Sequence, residues 1–394
     1  MISTKKRVVF FAETVTLAHI ARCMVVAKAL QDSGKYIVAL AADKRFDGII
    51  DDSTIIRFQL SSISCEQFAA QLSKGNAIYN SDTLVNYVND DLAVIDHFKP
   101  DLIIGDFRLS LSISSRLANI PYATITNAYW SPYAKVDYPI PEIPLTEFFG
   151  VSVAQKLFDL ARPLVFWLHS LALNRACKKF RLPPVASDMR EVYTHADYTL
   201  YADIESLFSM KPLPKNHLFI GPVLWSADVE VPAWWATLPE NKPIIFVTLG
   251  SSGDTRLLPM ILETLSKLAV TVICATAQKS SLKSDYPNVF VADFLPAEVA
   301  VKKADLVICN GGSPMVYQCL VENKAVIGIP SNLDQYLMTA VLIKANRGYL
   351  IRAGQASPTS IAQAVNEALS HKPLPLTVKP SLALEKIISL IDAI

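Results

Sequence analysis

Along the first half of the chain, short runs that are apolar at nearly every position alternate with segments whose apolar residues recur every three or four places. The runs RVVFFA (7–12), YIVALAA (36–42), IIRFQL (55–60), DLIIGD (101–106) and YATITN (122–127) are separated by helical patterns near 19–33, 82–98 and 109–118. A strand that is apolar on both sides has to be covered on both sides, so this pattern predicts a parallel sheet lined by helices. The alternation returns from PIIFVTLGS (243–251) through VTVICAT (270–276), NVFVADF (288–294), DLVICNGG (305–312), AVIGIP (325–330) and GYLI (348–351). Helices are expected near 257–268, 297–303, 314–322, 335–345 and 359–369, and SLALEKIISLIDAI closes the chain with helical periodicity. Two similar α/β halves predict a ligand held between the carboxyl ends of two sheets.

Further strands are expected at 198–203 and 217–222. The polar, Pro-punctuated VLWSADVEVPAWWATLPENK then marks a linker at 226–242, between a first domain over 1–225 and a second over 243–375, with a terminal helix over 376–394 able to return to the first domain. Residues 128–150, AYWSPYAKVDYPIPEIPLTEFFG, are dense in Pro and aromatics and read as one long loop carrying binding surface. The stretch 157–180, LFDLARPLVFWLHSLALNRACKKF, contains Asp159, Arg162, Pro163 and His169, too polar for the ~20 apolar residues of a membrane span. It reads as an amphipathic helix in the wall of the cleft, or else as one lying on a bilayer surface.

Composition narrows the class. The 394 residues exceed what one hydrophobic core organises, and 51% hydrophobic against 19% charged content argues for packed domains. Net charge is +1 with Lys and Arg scattered, which excludes the footprint of a nucleic-acid binder. The six cysteines lie far apart with no C-x-x-C pair, so neither zinc nor a disulfide framework is indicated and a cytoplasmic protein is expected, peripheral membrane contact included. The apolar run at the N-terminus stops at Glu13, short of a secretory leader.

The chemistry should gather at CNGGSPMVYQ (309–318). A strand ending in Gly-Gly before a helix bares backbone N–H groups at the positive end of the helix dipole, a place for an anion; a tight turn against a close-packed helix is the plainer alternative. The strand FVTLGSSGD ends in a second small-residue loop, where Gly250, Ser251, Ser252 and Gly253 could supply hydroxyls and N–H groups to the same anion. Neither loop is a Walker A motif or a G-x-G-x-x-G dinucleotide fingerprint, so kinases and nicotinamide dehydrogenases are set aside.

Region 243–370 resembles the nucleotide-sugar-binding half of family-1, UDP-glycosyltransferase-like enzymes of the GT-B fold. The likeness rests on Asn310-Gly311-Gly312 where that family has a His-Gly-Gly or similar signature, the helix after it, the AVIGIP strand, and Asp334-Gln335 at family-like spacing. In layout it extends, more loosely, over the whole chain. It implies two Rossmann-like domains facing each other across a cleft. It also implies Gly311, Gly312 and Ser313 at a diphosphate, Asp334 and Gln335 at sugar hydroxyls, and Phe294 at the base. Asn310 replaces the usual His and Gln318 stands where a Glu is frequent, which leaves the donor's identity open.

In the first half His19 opens a helix where the family carries a catalytic His, with Ala18 in place of the usual glycine. Position alone leaves a structural role open; the resemblance implies a general base. Asp106 is the matching carboxylate for the other ring nitrogen, or alternatively the N-cap of the helix after it; Glu13 is the next candidate. His169, His195 and His217 read as packing or surface residues.

The resemblance implies an inverting, metal-independent glycosyltransferase of hexosyltransferase type with no cofactor beyond a nucleotide-sugar co-substrate, UDP-linked first and dTDP-linked as the near variant. The loop aromatics Tyr129, Trp130, Tyr133, Tyr138, Phe148 and Phe149, with PLVFWLH, point to a hydroxyl of an apolar small molecule or lipid as acceptor, or equally to packing. The departures at Ala18, Asn310 and Gln318 motivate the alternative of a catalytically idle nucleotide-sugar-binding or partner-activating subunit; a sugar-nucleotide epimerase of the same fold is a third option.

Overall fold

The computed structural model describes residues 5–50, 52–239, 241–278, 282, 284–371, 376 and 382–393. They fall into two compact units, one of Met1–Val136, Lys156–Val223 and Lys379–Ile394, the other of Asp137–Gln155 and Leu224–Val378.

The first unit is built on β1 (Lys6–Ala12), β2 (Tyr36–Ala42), β3 (Ile56–Gln59), β4 (Leu102–Asp106), β5 (Tyr122–Thr126), β6 (Tyr198–Tyr201) and β7 (His217–Phe219), in the order β3-β2-β1-β4-β5-β6-β7. Every neighbouring pair is parallel. Strands β4 and β5 are buried along their whole length, as unbroken apolar runs require. The helix Leu17–Asp32 covers β1 and β2 with Ile20, Cys23, Met24, Ala27 and Leu30, the buried Ile, Met and Leu each being worth roughly 1.5–3 kcal/mol. The helix Leu382–Ala393 belongs to this unit: Tyr36 donates to Asp392 Oδ1 at 2.9 Å and Lys6 Nζ to the Ile391 carbonyl at 2.7 Å. The expected terminal helix is therefore described from Leu382 onward, residues 377–381 lying outside the described residues.

The second unit carries β8 (Ile244–Thr248), β9 (Thr271–Ala275), β10 (Val289–Ala292), β11 (Leu306–Cys309), β12 (Ala325–Gly328) and β13 (Gly348–Leu350), parallel throughout in the order β10-β9-β8-β11-β12-β13. In each sheet the first strand, β1 or β8, is interior, and the strand order runs outward from it in both directions. The carboxyl end of such a strand is the switch point of a doubly wound sheet, where ligands bind.

Residues 128–150 are not one loop. After a short 3-10 turn at Ala128–Trp130, a helix assigned over Pro144–Lys179 already includes Pro144–Phe149, and Gly150 at φ 70° breaks its geometry. Pro144 suits the first helical turn, so a proline that reads as a breaker here starts the helix. Of the loop's aromatics, Tyr129 and Tyr138 are buried packing residues, whereas Phe148 and Phe149 are exposed. Helices Cys65–Lys74 and Met189–Thr194 were not expected. Among the described residues no helix is long and apolar enough to cross a membrane.

Candidate active site

At the switch point of the first unit, Ala12 of β1 stands opposite Asp106 of β4 in register, and the Glu13 amide donates to the Asp106 carbonyl at 3.1 Å. His19, in the first turn of the helix after β1, is brought over the end of β4. Its Nδ1 lies 2.7 Å from Asp106 Oδ1. A carboxylate at that distance selects the tautomer with the proton on Nδ1, leaving the Nε2 lone pair free in the neutral ring. The imidazole lies flat on Phe107, centroids 4.8 Å apart and planes within 8°. Phe107 has φ 58°, a left-handed backbone uncommon for a bulky residue, which turns its ring under the histidine.

Three residues on from His19, and so on the same helix face, Arg22 grips Asp106 with two nitrogens, Nε to Oδ2 at 2.7 Å and Nη2 to Oδ1 at 2.8 Å. Its Nη1 donates to Asn127 Oδ1 at 3.0 Å, and Asn127 donates to Asp203 Oδ1 at 2.9 Å. Residues at the ends of β4, β5 and β6 and on the helix after β1 thus form one buried chain: His19, Asp106, Arg22, Asn127, Asp203. Burial alone pushes the Asp106 carboxyl up, but Arg22 and then His19 outweigh it and hold the group below its ordinary value. Asp106 does not cap a helix. Ser110 precedes the helix Leu111–Ala118, and both Asp106 oxygens are held by His19 and Arg22.

Glu13 belongs to a second buried cluster. Arg108, fully enclosed, donates to Glu13 Oε2 at 3.1 Å and to Asp91 Oδ1 at 3.0 Å, with its guanidinium 3.7 Å from the centroid of the Tyr87 ring. Ser110 and Ser114 donate to Asp91 Oδ2. Burial raises the carboxyls of Glu13 and Asp91 despite Arg108 between them. Of the other histidines, His217 Nδ1 meets the Tyr201 hydroxyl at 2.7 Å and His169 Nε2 the Gly75 carbonyl at 3.3 Å, packing roles as expected.

At the switch point of the second unit the turn after β11 is tied by neutral groups. Strand β11 runs through Asn310 and Gly311 into Gly312, the N-cap of the helix Ser313–Val321. Gly311 is at φ 78°, and a Cβ there would sit 2.1 Å from Thr339 Oγ1, so the turn requires glycine twice over. The Asn310 side chain accepts from the Gly312 amide at 3.1 Å and donates to Ser252 Oγ at 3.3 Å, tying the turn to the loop after β8. Gln335 adds a second tie: its Nε2 donates to the Ser252 carbonyl at 3.1 Å, and its Oε1 accepts from the Ser331 amide at 2.9 Å. The structure therefore brings Ser252, Asn310, Gly311, Gly312 and Gln335 together, with Ser313 buried directly behind. Gln335 is 2% exposed and both ends of its amide are held by protein groups. Asp334, half-buried, opens the same helix, Leu333–Lys344. Ser251 is half-buried beside Ser252, and Gln318 is buried within its helix. Phe294 stands apart, half-buried after the edge strand β10.

Comparison with known proteins shows the family. A PGL/p-HBAD biosynthesis glycosyltransferase of Mycobacterium tuberculosis (strain ATCC 25177 / H37Ra) is 42% identical over 369 residues, which cover 94% of this chain and 86% of that protein. This chain belongs to the GT-B glycosyltransferases of the UDP-glycosyltransferase type. The glycosyltransferase is also 41% identical to a PGL/p-HBAD biosynthesis rhamnosyltransferase of Mycobacterium bovis (strain BCG / Pasteur 1173P2), over 93% of this chain and 81% of that one. The family model described as the glycosyltransferase family 28 C-terminal domain matches residues 244–393, so the family number differs from the family-1 resemblance while the architecture is shared. The crystallised spinosyn forosaminyltransferase SpnP superposes with a TM-score of 0.67 over 98% of this chain and 95% of its own at 13% identity, a likeness of fold.

Sequence reasoning missed Arg22, Asn127 and Asp203 around the transferase's His19, and Arg108 and Asp91 around Glu13. Arg22 had a signal: it is a charge on the apolar stripe IARCMVVAKAL, one helical turn from His19.

Proposed function

We propose that this glycosyltransferase works by inversion without a metal, with His19 as general base and the Asn310–Ser313 turn as the diphosphate site. The observation that carries this reading is the 2.7 Å contact of His19 Nδ1 with a buried carboxylate, on a ring that remains 17% exposed. His19 Nε2 takes the proton of an acceptor hydroxyl as its oxygen attacks the anomeric carbon. The bond from that carbon to the diphosphate oxygen breaks, and its electron pair leaves with the nucleotide. Asp106 holds the imidazolium that forms. The leaving diphosphate is met by the N–H groups and helix dipole at Gly311–Ser313 and by the hydroxyls of Ser251 and Ser252. In this reading Asp334 bonds a sugar hydroxyl, Gln335 holds the two loops in register, and Phe294 flanks the base.

The donor in this reading is a UDP- or dTDP-linked hexose, and the relative named a rhamnosyltransferase supports a deoxyhexose. The acceptor is a hydroxyl on an apolar small molecule or lipid of the kind handled in PGL/p-HBAD biosynthesis, the process named for both relatives. Isothermal titration with UDP, dTDP and GDP, followed by proton NMR of the anomeric centre in donor and product, tests the reading. Saturable binding of one nucleotide and an inverted anomeric centre are expected. A retained configuration, or no binding of any of the three, overturns it.

A further inference from the structure

The helix continuing past Gly150 carries a row of side chains that the fold leaves uncovered. Leu157, Leu160, Leu164, Trp167 and Leu168 are 43%, 83%, 59%, 45% and 46% exposed. At about 100° per residue their spacing confines them to a strip about 100° wide. The opposite side of the helix buries Phe158, Phe166, Leu173 and Ala176 in the first unit, so its core contacts are already made by other residues. Beyond Leu168, at the same azimuth, stand Arg175 and Lys178, both exposed and roughly 10 and 15 Å further along the axis. Over residues 157–181 the bases are Arg162, Arg175, Lys178, Lys179 and Arg181 and the acid is Asp159, in a chain whose totals are 37 basic and 36 acidic.

We infer that this face is a docking surface for an anionic lipid bilayer, with the leucines and Trp167 entering the acyl boundary and Arg175 and Lys178 meeting the phosphate head groups. A helix that presents a bulky apolar strip and places cations on the same side lies along a membrane surface. The charges choose between occupants. The strip itself carries no acid, since Asp159 points about a quarter-turn or more to the side, near Arg162 at 3.9 Å. A second copy packed on this face would offer Arg175 and Lys178 no counter-charge, whereas anionic head groups do, each cation strengthening attachment roughly fivefold. The surface is argued from the first unit alone and stands independently of the acceptor reading.

The test is co-sedimentation of the full chain with phosphatidylcholine vesicles, with and without a one-third fraction of phosphatidylglycerol. Binding to the anionic vesicles and quenching of tryptophan fluorescence by brominated lipid, lost in Trp167→Phe, are expected. Leu160→Glu/Leu164→Glu should lower binding to both vesicle types by at least about tenfold, and Arg175→Glu/Lys178→Glu should remove the preference for anionic lipid. All these positions are exposed, and unchanged circular dichroism and nucleotide titration certify each variant's fold. Wild-type protein that stays in the supernatant, or variants that sediment like wild type, overturns the inference. So does concentration-dependent dimerisation by light scattering that Leu160→Glu/Leu164→Glu abolishes while vesicle binding is absent, which assigns the face to a second copy.

Discussion

The two sheets have the same switch-point topology, β1 between β2 and β4, β8 between β9 and β11, and they fill it with opposite chemistry. In the first unit the crevice sets His19 against Asp106, Arg22, Glu13 and Arg108, charges that are buried and paired. In the second it holds glycines, Ser252, Asn310 and Gln335, neutral groups that bond one another. The difference follows from what each site must do in the proposed reaction. A base needs its proton affinity set by fixed charges close by, whereas a group that arrives carrying its own negative charge needs N–H donors and room. Fixed carboxylates would repel it, and a fixed lysine would hold the leaving group after transfer.

The strongest way to break that comparison is to remove the base. His19→Ala should lower kcat by about 10²–10⁴-fold with nucleotide affinity unchanged, read by initial rates beside isothermal titration. Equal loss of nucleotide affinity would mean that the charged crevice binds the donor. Asp106→Asn comes next: it leaves Arg22 buried without its carboxylate, costing about 3–5 kcal/mol of stability by urea unfolding, together with a large loss of kcat. Adding Arg22→Met should restore part of the stability and none of the rate, since the buried cation is then gone but the imidazolium still lacks a partner. Recovery of rate would show that Asp106 serves the fold alone.

A smaller effect sharpens the neutral side. At Gly312 a Cβ would approach Asn310 Oδ1 no closer than 3.2 Å, whereas at Gly311 it would strike Thr339 at 2.1 Å. Gly312→Trp therefore fills the space in front of the turn with less disturbance behind it, and should weaken nucleotide binding by about tenfold or more, the worth of one or two hydrogen bonds to a charged group. The melting temperature should move little. A matched fall in melting temperature and affinity would assign the turn to packing.

The neutral crevice was the more legible in sequence. Its components lie within short motifs, GSSG at 250–253 and NGGS at 310–313, and the need for glycine is a local backbone property readable from the strand–turn–helix pattern. Gln335 was placed correctly in the helix start but not in its partners, because whether an amide faces inward to Ser252 or outward depends on how two loops settle. The charged crevice draws Asp106, Asn127 and Asp203 from the ends of three different strands and His19 and Arg22 from the helix after β1. Periodicity locates each strand end; it does not say which side chains meet there. The strand–helix alternation was legible because both faces of each strand are apolar, while the helix at Pro144–Phe149 was hidden by prolines whose helix-starting position the pattern does not distinguish from a breaking one.

The smallest effect concerns the cost of keeping charges at the first crevice, and it has opposite signs at its two carboxylate groups. Glu13 and Asp91 have folded values raised by burial, so above the unfolded values near 4.5 and 3.8 the folded protein retains protons that the unfolded chain has lost. Stability must then fall as pH rises through that window, by at most about 1.4 kcal/mol per pH unit for each group. Asp106 has a lowered value, so its contribution is fully present above 3.8 and is lost only as pH falls below that. Between pH 4.5 and 6 Glu13 and Asp91 lower the urea midpoint as pH rises, while His169, His195 and His217, whose values burial lowers from 6.5, raise it. The midpoint of Glu13→Gln should therefore climb relative to that of wild type across this range, since a neutral amide removes the titration while Arg108 keeps Asp91. A difference between variant and wild type that instead falls with rising pH would mean that Arg108 outweighs burial at Glu13, making that contact a favourable ion pair like that of Asp106 with Arg22.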